Sequence, residues 1–125
     1  MLPKVSSAIV ILVFAMGHVV LADPPTTSIQ QRATLDPANF GVLVTVAVTC
    51  GDPAPTEFEL NVAVRQGDFA SESGGVFFPA TGGRQVVAVD VVGPFTVGDA
   101  SASATLVCGP LLTGQELGVP IKISQ

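Results

Sequence analysis

The sequence has no tryptophan and no tyrosine, a single histidine at His18, and two cysteines among 125 residues. His18 lies in the apolar N-terminal run whose removal on export is expected to leave no histidine, and pairing of the two cysteines leaves no thiol, so Ser-His-Asp and Cys-His catalytic sets and the usual His/Cys zinc sites are not expected. Charge is scarce as well, at 12% of residues, with five bases against ten acids and a net charge of −5. That balance disfavours nucleic acid and anionic membrane as partners. No glycine pattern sits between a strand and a helix, so Gly74-Gly75 and Gly82-Gly83 read as turns rather than phosphate cradles. The length fits one domain with one core.

What is present begins with an export pattern. Lys4 precedes an almost unbroken apolar run from Ala8 to Ala22, and Val20 and Ala22 place small side chains at the −3 and −1 positions before Asp23. Residues 1–22 therefore read as a secretory signal peptide; an uncleaved membrane anchor is the alternative, but the run is short of the roughly 20 apolar residues a span needs. Removal takes away His18 and both methionines and leaves Arg32, Arg65, Arg84 and Lys122 against the ten acids. The proline-rich Asp23–Ser28 reads as an extended tether, so residues 23–34 are expected to hold the tether and the start of a first strand, and residues 35–125 the folded domain. No cysteine lies near the cleavage site, neither Asn39 nor Asn61 begins a glycosylation sequon, and Val119–Gln125 carries no hydrophobic tail. A secreted or envelope-associated protein, without stable membrane insertion after cleavage, is the expected product.

In an exported chain two cysteines usually pair, and Cys50 and Cys108 are 58 residues apart. Two free thiols are the alternative. The surrounding sequence alternates with a period of two, the signature of half-buried strands. In Phe40–Cys50 the even positions are Val42, Val44, Val46, Val48 and Cys50. Glu57–Gln66 turns Phe58, Leu60, Val62 and Val64 one way and Glu57, Glu59, Asn61 and Arg65 the other. Arg84–Val92 puts Val87, Val89 and Val91 inward if Asp90 faces out. Ala100–Cys108 aligns Ala100, Ala102, Ala104, Leu106 and Cys108, and Leu117–Ile123 aligns Leu117, Val119, Ile121 and Ile123. Each cysteine shares parity with its apolar set, so a disulfide crossing the core between two sheets is expected. Ten prolines, thirteen glycines and the density of Val and Thr oppose helix. With a first strand near Thr27–Leu35 and a short one at Val76–Phe78, about seven strands result, which describes an all-β sandwich.

Cysteines near the ends of a second and a sixth strand resemble the immunoglobulin-like fold. The run from Phe95 through Gly98 and Ala100 to Cys108, a Phe-x-x-Gly-x-Ala turn leading into an alternating small-residue strand and a cysteine, is similar to small exported immunoglobulin-like proteins of high-GC bacteria. Val44–Cys50 and Val62–Gln66 resemble that group's second and third strands. The resemblance covers about residues 40–120 and implies an immunoglobulin-like sandwich; it carries over no functional residue. Antibody-type domains are a poorer match, because the third strand has no tryptophan and Leu106 stands where their tyrosine would.

Carboxylates are the remaining route to chemistry. Glu57 and Glu59 on one strand could divide acid and base roles as in glycosidases, although nothing aromatic of the sugar-stacking kind accompanies them. Asp68 and Glu72, with Asp52, are oxygen ligands of the kind calcium takes, without an EF-hand spacing. A solvated strand face and solvated loops account for both sets. The expectation is a non-catalytic protein without cofactor or metal.

Two places remain for a protein or envelope partner. Gly67–Gly83 carries Phe69, Phe77 and Phe78 between glycine pairs, which suits aromatic anchors on a mobile loop; the alternative is an edge strand at Val76–Phe78 with one phenylalanine in the core. The second place is an apolar outward sheet face formed by Leu43 and Ala47 from one strand and Val86, Ala88 and Val92 from another. Two functions fit these surfaces: a binding or structural module at or outside the cell envelope, and a carrier of a small apolar ligand in a cleft walled by the phenylalanine segment.

Overall fold

A computed structural model describes residues 24–51, 54–110 and 112–125. The proposed signal peptide, residues 1–22, lies outside them. Nine strands form among the described residues: β1 (Thr26–Ile29), β2 (Arg32–Asp36), β3 (Gly41–Thr49), β4 (Glu57–Gln66), β5 (Phe69–Glu72), β6 (Val76–Pro79), β7 (Arg84–Val92), β8 (Gly98–Gly109) and β9 (Leu112–Ser124). The described residues are all-β, with one 3-10 turn among them at Pro37–Asn39.

The strands pair in two antiparallel groups. In one, β1 and β2 follow each other along one side of β3, and β7 runs along the other. In the other, β9, β8 and β4 lie side by side, and β5 and β6 follow each other along the far side of β4. β2 connects the groups: Thr34–Asp36 pair with β3, and Arg32–Thr34 pair in parallel with β9. A single first strand over Thr27–Leu35 is thus broken in two. At the break the Gln30 amide donates to the Thr45 carbonyl while the Gln31 carbonyl accepts from Lys122, so the backbone hands its hydrogen bonds from one group to the other. Strand also begins earlier than the tether reading implies, since Thr26 already pairs with Thr49.

Alternation decides which side chains meet. Val42, Val44, Val46 and Val48 of β3 are buried together with Phe58, Leu60, Val62 and Val64 of β4, and Val89, Val91, Ala102, Ala104 and Leu106 join the same cluster. Apolar positions from both groups thus bury one another, each large side chain contributing roughly 1.5–3 kcal/mol of transfer free energy. Cys50, just after β3, is bonded to Cys108 in β8, with Cα atoms 5.5 Å apart. The expected disulfide therefore forms and ties the two groups together.

β9 departs from its sequence parity. Its pairing with β8 jumps from Ala102↔Val119 to Ala104↔Glu116, so Ser103 faces two residues, Leu117 and Gly118. Gly118 has φ 63°, the backbone a glycine bulge requires. The extra residue reverses the alternation: Leu117, expected inward, is 63% exposed, and Glu116 turns in to accept the Ile29 amide at 2.8 Å.

Candidate functional site

The segment Gly67–Gly83 is two edge strands rather than a mobile loop. β5 returns from β4 through the turn at Gly67-Asp68, and β6 pairs with the start of β4. This separates the three phenylalanines. Phe78, opposite Phe58 in the ladder, stacks on its ring at 5.4 Å and packs against the core. Phe77, opposite Glu59, points the other way and is 61% exposed. Phe69 meets Phe95 edge to face, with ring centroids 5.2 Å apart. It leans over Gly93, where a Cβ would lie 2.5 Å from its ring, so a larger residue there would push the Phe69 ring aside. The three do not come together as one anchor or as one wall of a cleft.

The outward face of β3 and β7 does come together. The register sets Leu43 opposite Asp90, Thr45 opposite Ala88 and Ala47 opposite Val86. Val86 and Val92 are each more than half exposed, Ala88 is exposed, and Leu43 is half-buried. Ala47 differs from expectation in being buried, because Ser28 of β1 and Val86 of β7 flank it on both sides. The result is a Val, Ala and Thr surface with Arg84 at one end of β7 and Asp90 near the other. On the opposite group, Glu57, Glu59, Asn61 and Arg65 face outward with Ser101, Ser103 and Thr105, and the exposed Phe77, opposite Glu59, and Leu117, opposite Ser103, interrupt that polar face.

One end of the molecule holds features that sequence alone did not single out. Phe40 follows the 3-10 turn in the left-handed region at φ 53° and is 62% exposed. A bulky side chain in that region costs on the order of 1–3 kcal/mol, and the surroundings hold it there: its carbonyl accepts from Gly93 at 2.8 Å and its amide donates to Pro37. With Leu35, Pro37, Pro94 and Phe95 it lines an open hollow of about 240 Å³. The signal available in the sequence was the turn-forming Asp36-Pro37-Ala38-Asn39.

Beside that hollow the Asn39 side-chain amide donates to Asp36 at 2.7 Å and to Asp90 at 3.2 Å. The bond from Asn39 holds the Asp36 carboxyl below its ordinary value. Burial pushes Asp90 up, and the neighbouring Asp36 carboxylate adds to the effect. The other Asp90 oxygen, Oδ1, is buried without a hydrogen-bond partner.

The remaining acids are dispersed. Glu72 accepts from Asn61 at 2.9 Å, Asp68 is exposed in the β4–β5 turn, and Asp52 lies outside the described residues. Among the described residues no group of three His, Cys, Asp or Glu side chains is placed to hold a metal ion.

No protein-family model, no curated protein and no solved structure matches this chain.

Proposed function

We propose that this protein is an exported, non-catalytic domain of immunoglobulin-like type that binds a protein or envelope partner through the outward face of β3 and β7. The observation that carries the reading is the continuity of the apolar positions on the β3–β7 face: Val86, Ala88 and Val92 stand exposed in alternation along β7, whereas on the other face Phe77 and Leu117 stand singly among carboxylates, hydroxyls and Arg65. Apolar surface that runs contiguously along a sheet face often marks an interaction site, whereas single exposed hydrophobics need none.

The strand order supports the fold. With β1 and β2 counted as one interrupted strand, and β5 and β6 as another, the first, second and fifth strands make one sheet and the others the second. The disulfide then joins the second strand to the sixth, as in immunoglobulin domains. Export rests on the signal-peptide pattern of residues 1–22, and the disulfide is consistent with it.

The test is capture of partners from the source's own exported fraction by the wild-type protein and by Leu43→Asp and Phe77→Ala, each checked for an intact fold by circular dichroism. Loss of capture in Leu43→Asp with retention in Phe77→Ala supports the reading; equal capture by all three overturns it. The carrier reading draws on the hollow lined by Leu35, Pro37, Phe40, Pro94 and Phe95, which is open and, at about 240 Å³, smaller than the ~300–1,000 Å³ usual for small-molecule sites. A native mass spectrum carrying a co-purified small molecule would favour it.

A further inference from the structure

β7 has a partner on one side only. It pairs with β3 along its full length from Arg84 to Val92, and among the described residues no other strand pairs with it. The edge is nine residues long, without proline or bulge, and its only charges, Arg84 and Asp90, are of opposite sign, so they do not repel an antiparallel copy as an edge of like charges would.

Three contacts fix which backbone groups face outward. The Gly93 amide donates to Phe40, just before β3, and the Val91 carbonyl lies against Gly41 of β3. The Val92 carbonyl instead accepts from Ser71 of β5, away from β3. Successive residues of a strand direct their N–H and C=O groups to opposite sides. Arg84, Val86, Ala88 and Asp90 therefore turn their backbone groups toward the free edge. The same four residues carry their side chains on the outward face.

An antiparallel strand docking here must align even-numbered residues with its own edge-facing residues. For a second copy of β7 this restricts the two-fold axis to a few registers. An axis at Val87 sets Arg84 opposite Asp90 of the other copy, twice over, and Val86 opposite Ala88. It makes no use of Val92, whose carbonyl Ser71 already occupies; moving the axis to Ala88 would require Val92 and would lose both charge pairs. Within one chain Arg84 forms no ion pair among the described residues, and the Asp90–Asp36 carboxylates have only the neutral Asn39 amide between them. Each strand thus supplies the charge the other copy lacks at that point.

We infer that the occupant of the β7 edge is a second copy of this chain, paired antiparallel about Val87 with Arg84 of each copy opposite Asp90 of the other. The β1/β2–β3–β7 groups of the two copies become one continuous sheet, and the interface is isologous, as closed two-fold symmetry demands. This assignment concerns the edge of β7 and does not depend on what docks on its face.

The charge pairs make the register testable by mixing. Alone, Arg84→Glu brings a second carboxylate against Asp90, and Asp90→Lys brings an ammonium against Arg84, so each is expected to weaken dimerisation by about tenfold or more in sedimentation equilibrium. Combined in equal amounts, the two variants form a mixed pair in which the introduced glutamate of one copy faces the introduced lysine of the other and Asp90 of the first faces Arg84 of the second, so attraction returns at both positions and dimer returns on mixing. The charge-swapped double variant, Arg84→Glu with Asp90→Lys in one chain, has attractive charges at both positions of its own dimer, and there dimer returns. In the wild-type protein, amide exchange at Val86, Ala88 and Asp90 slows as concentration rises while Val87 and Val89, already bonded to β3, are unaffected; this readout needs no variant. A wild-type protein that stays monomeric up to about 1 mM overturns the assignment. So do single variants that dimerise as well as wild type, or a double variant that stays monomeric with its fold intact.

Discussion

The Gly118 amide donates to the Ser103 hydroxyl at 2.9 Å, and this bond closes the bulge at which β9 reverses its inward and outward faces. Gly118 sits at φ 63° with nothing within 4 Å of the position a Cβ would take, so backbone conformation and not space demands glycine there. Gly118→Ala is expected to cost about 1–2 kcal/mol in urea unfolding, with an unchanged m-value. A neutral effect would mean that the bulge relaxes and that Leu117 does not have to remain outside.

The two adjacent phenylalanines of β6 separate packing from exposure. Phe78→Ala removes a ring stacked on Phe58 and is expected to destabilise the protein by about 2–4 kcal/mol. Phe77→Ala removes an exposed ring and should stay within about 0.5 kcal/mol of wild type. Chemical denaturation of both variants checks the difference; similar losses would contradict the register of Phe58 with Phe78.

Reducing the cross-link isolates the disulfide. The loop closed by Cys50 and Cys108 spans 58 residues, for which the chain-entropy treatment gives about 4 kcal/mol. The Cys50→Ala, Cys108→Ala double variant is expected to lose about that much stability, and a markedly smaller loss would show residual order in the unfolded chain.

The pH dependence turns on Asp90. Its folded value lies above 3.8, so between 3.8 and that raised value the folded chain binds the proton more tightly than the unfolded chain does. Stability from this group is therefore present at low pH and is lost as pH rises through the raised value. Asp36 has the opposite sign: its stabilisation is present above 3.8 and is lost as pH falls through its lowered value. At concentrations low enough to keep the chain monomeric, Asp90→Asn is expected to melt above wild type at pH 7, with the gap closing as pH falls below 3.8. Thermal scans across that range test it, and a gap independent of pH would assign the effect to shape instead of charge.

Much of the strand architecture could be read in advance because parity is a local property. β4 and β7 occupy the same residues the alternation predicted, and β3 and β8 differ from prediction only at their ends. Valine at every second position has one way to bury its set, and the two cysteines shared that parity, so their pairing followed. β5 escaped because Phe69–Glu72 is short and has one large apolar residue, too little for a period to register; its place is set by the turn that returns it to β4. Of the candidate surfaces, the outward positions of Val86, Ala88 and Val92 were legible, whereas the separation of Phe69, Phe77 and Phe78 was not, because each depends on which strand lies alongside.

The sequence by itself determined that this is an all-β chain with a valine-rich core and a cross-core disulfide. Those properties depend on residue type and spacing along one strand, where alternating side chains must point to opposite faces. Tertiary structure alone decided the handover of β2 between the two groups, the reversal at Gly118, the left-handed Phe40 and the meeting of Asp36 with Asp90. Each of these depends on where distant backbone groups find their hydrogen-bond partners, and the chain resolves that only when the strands assemble.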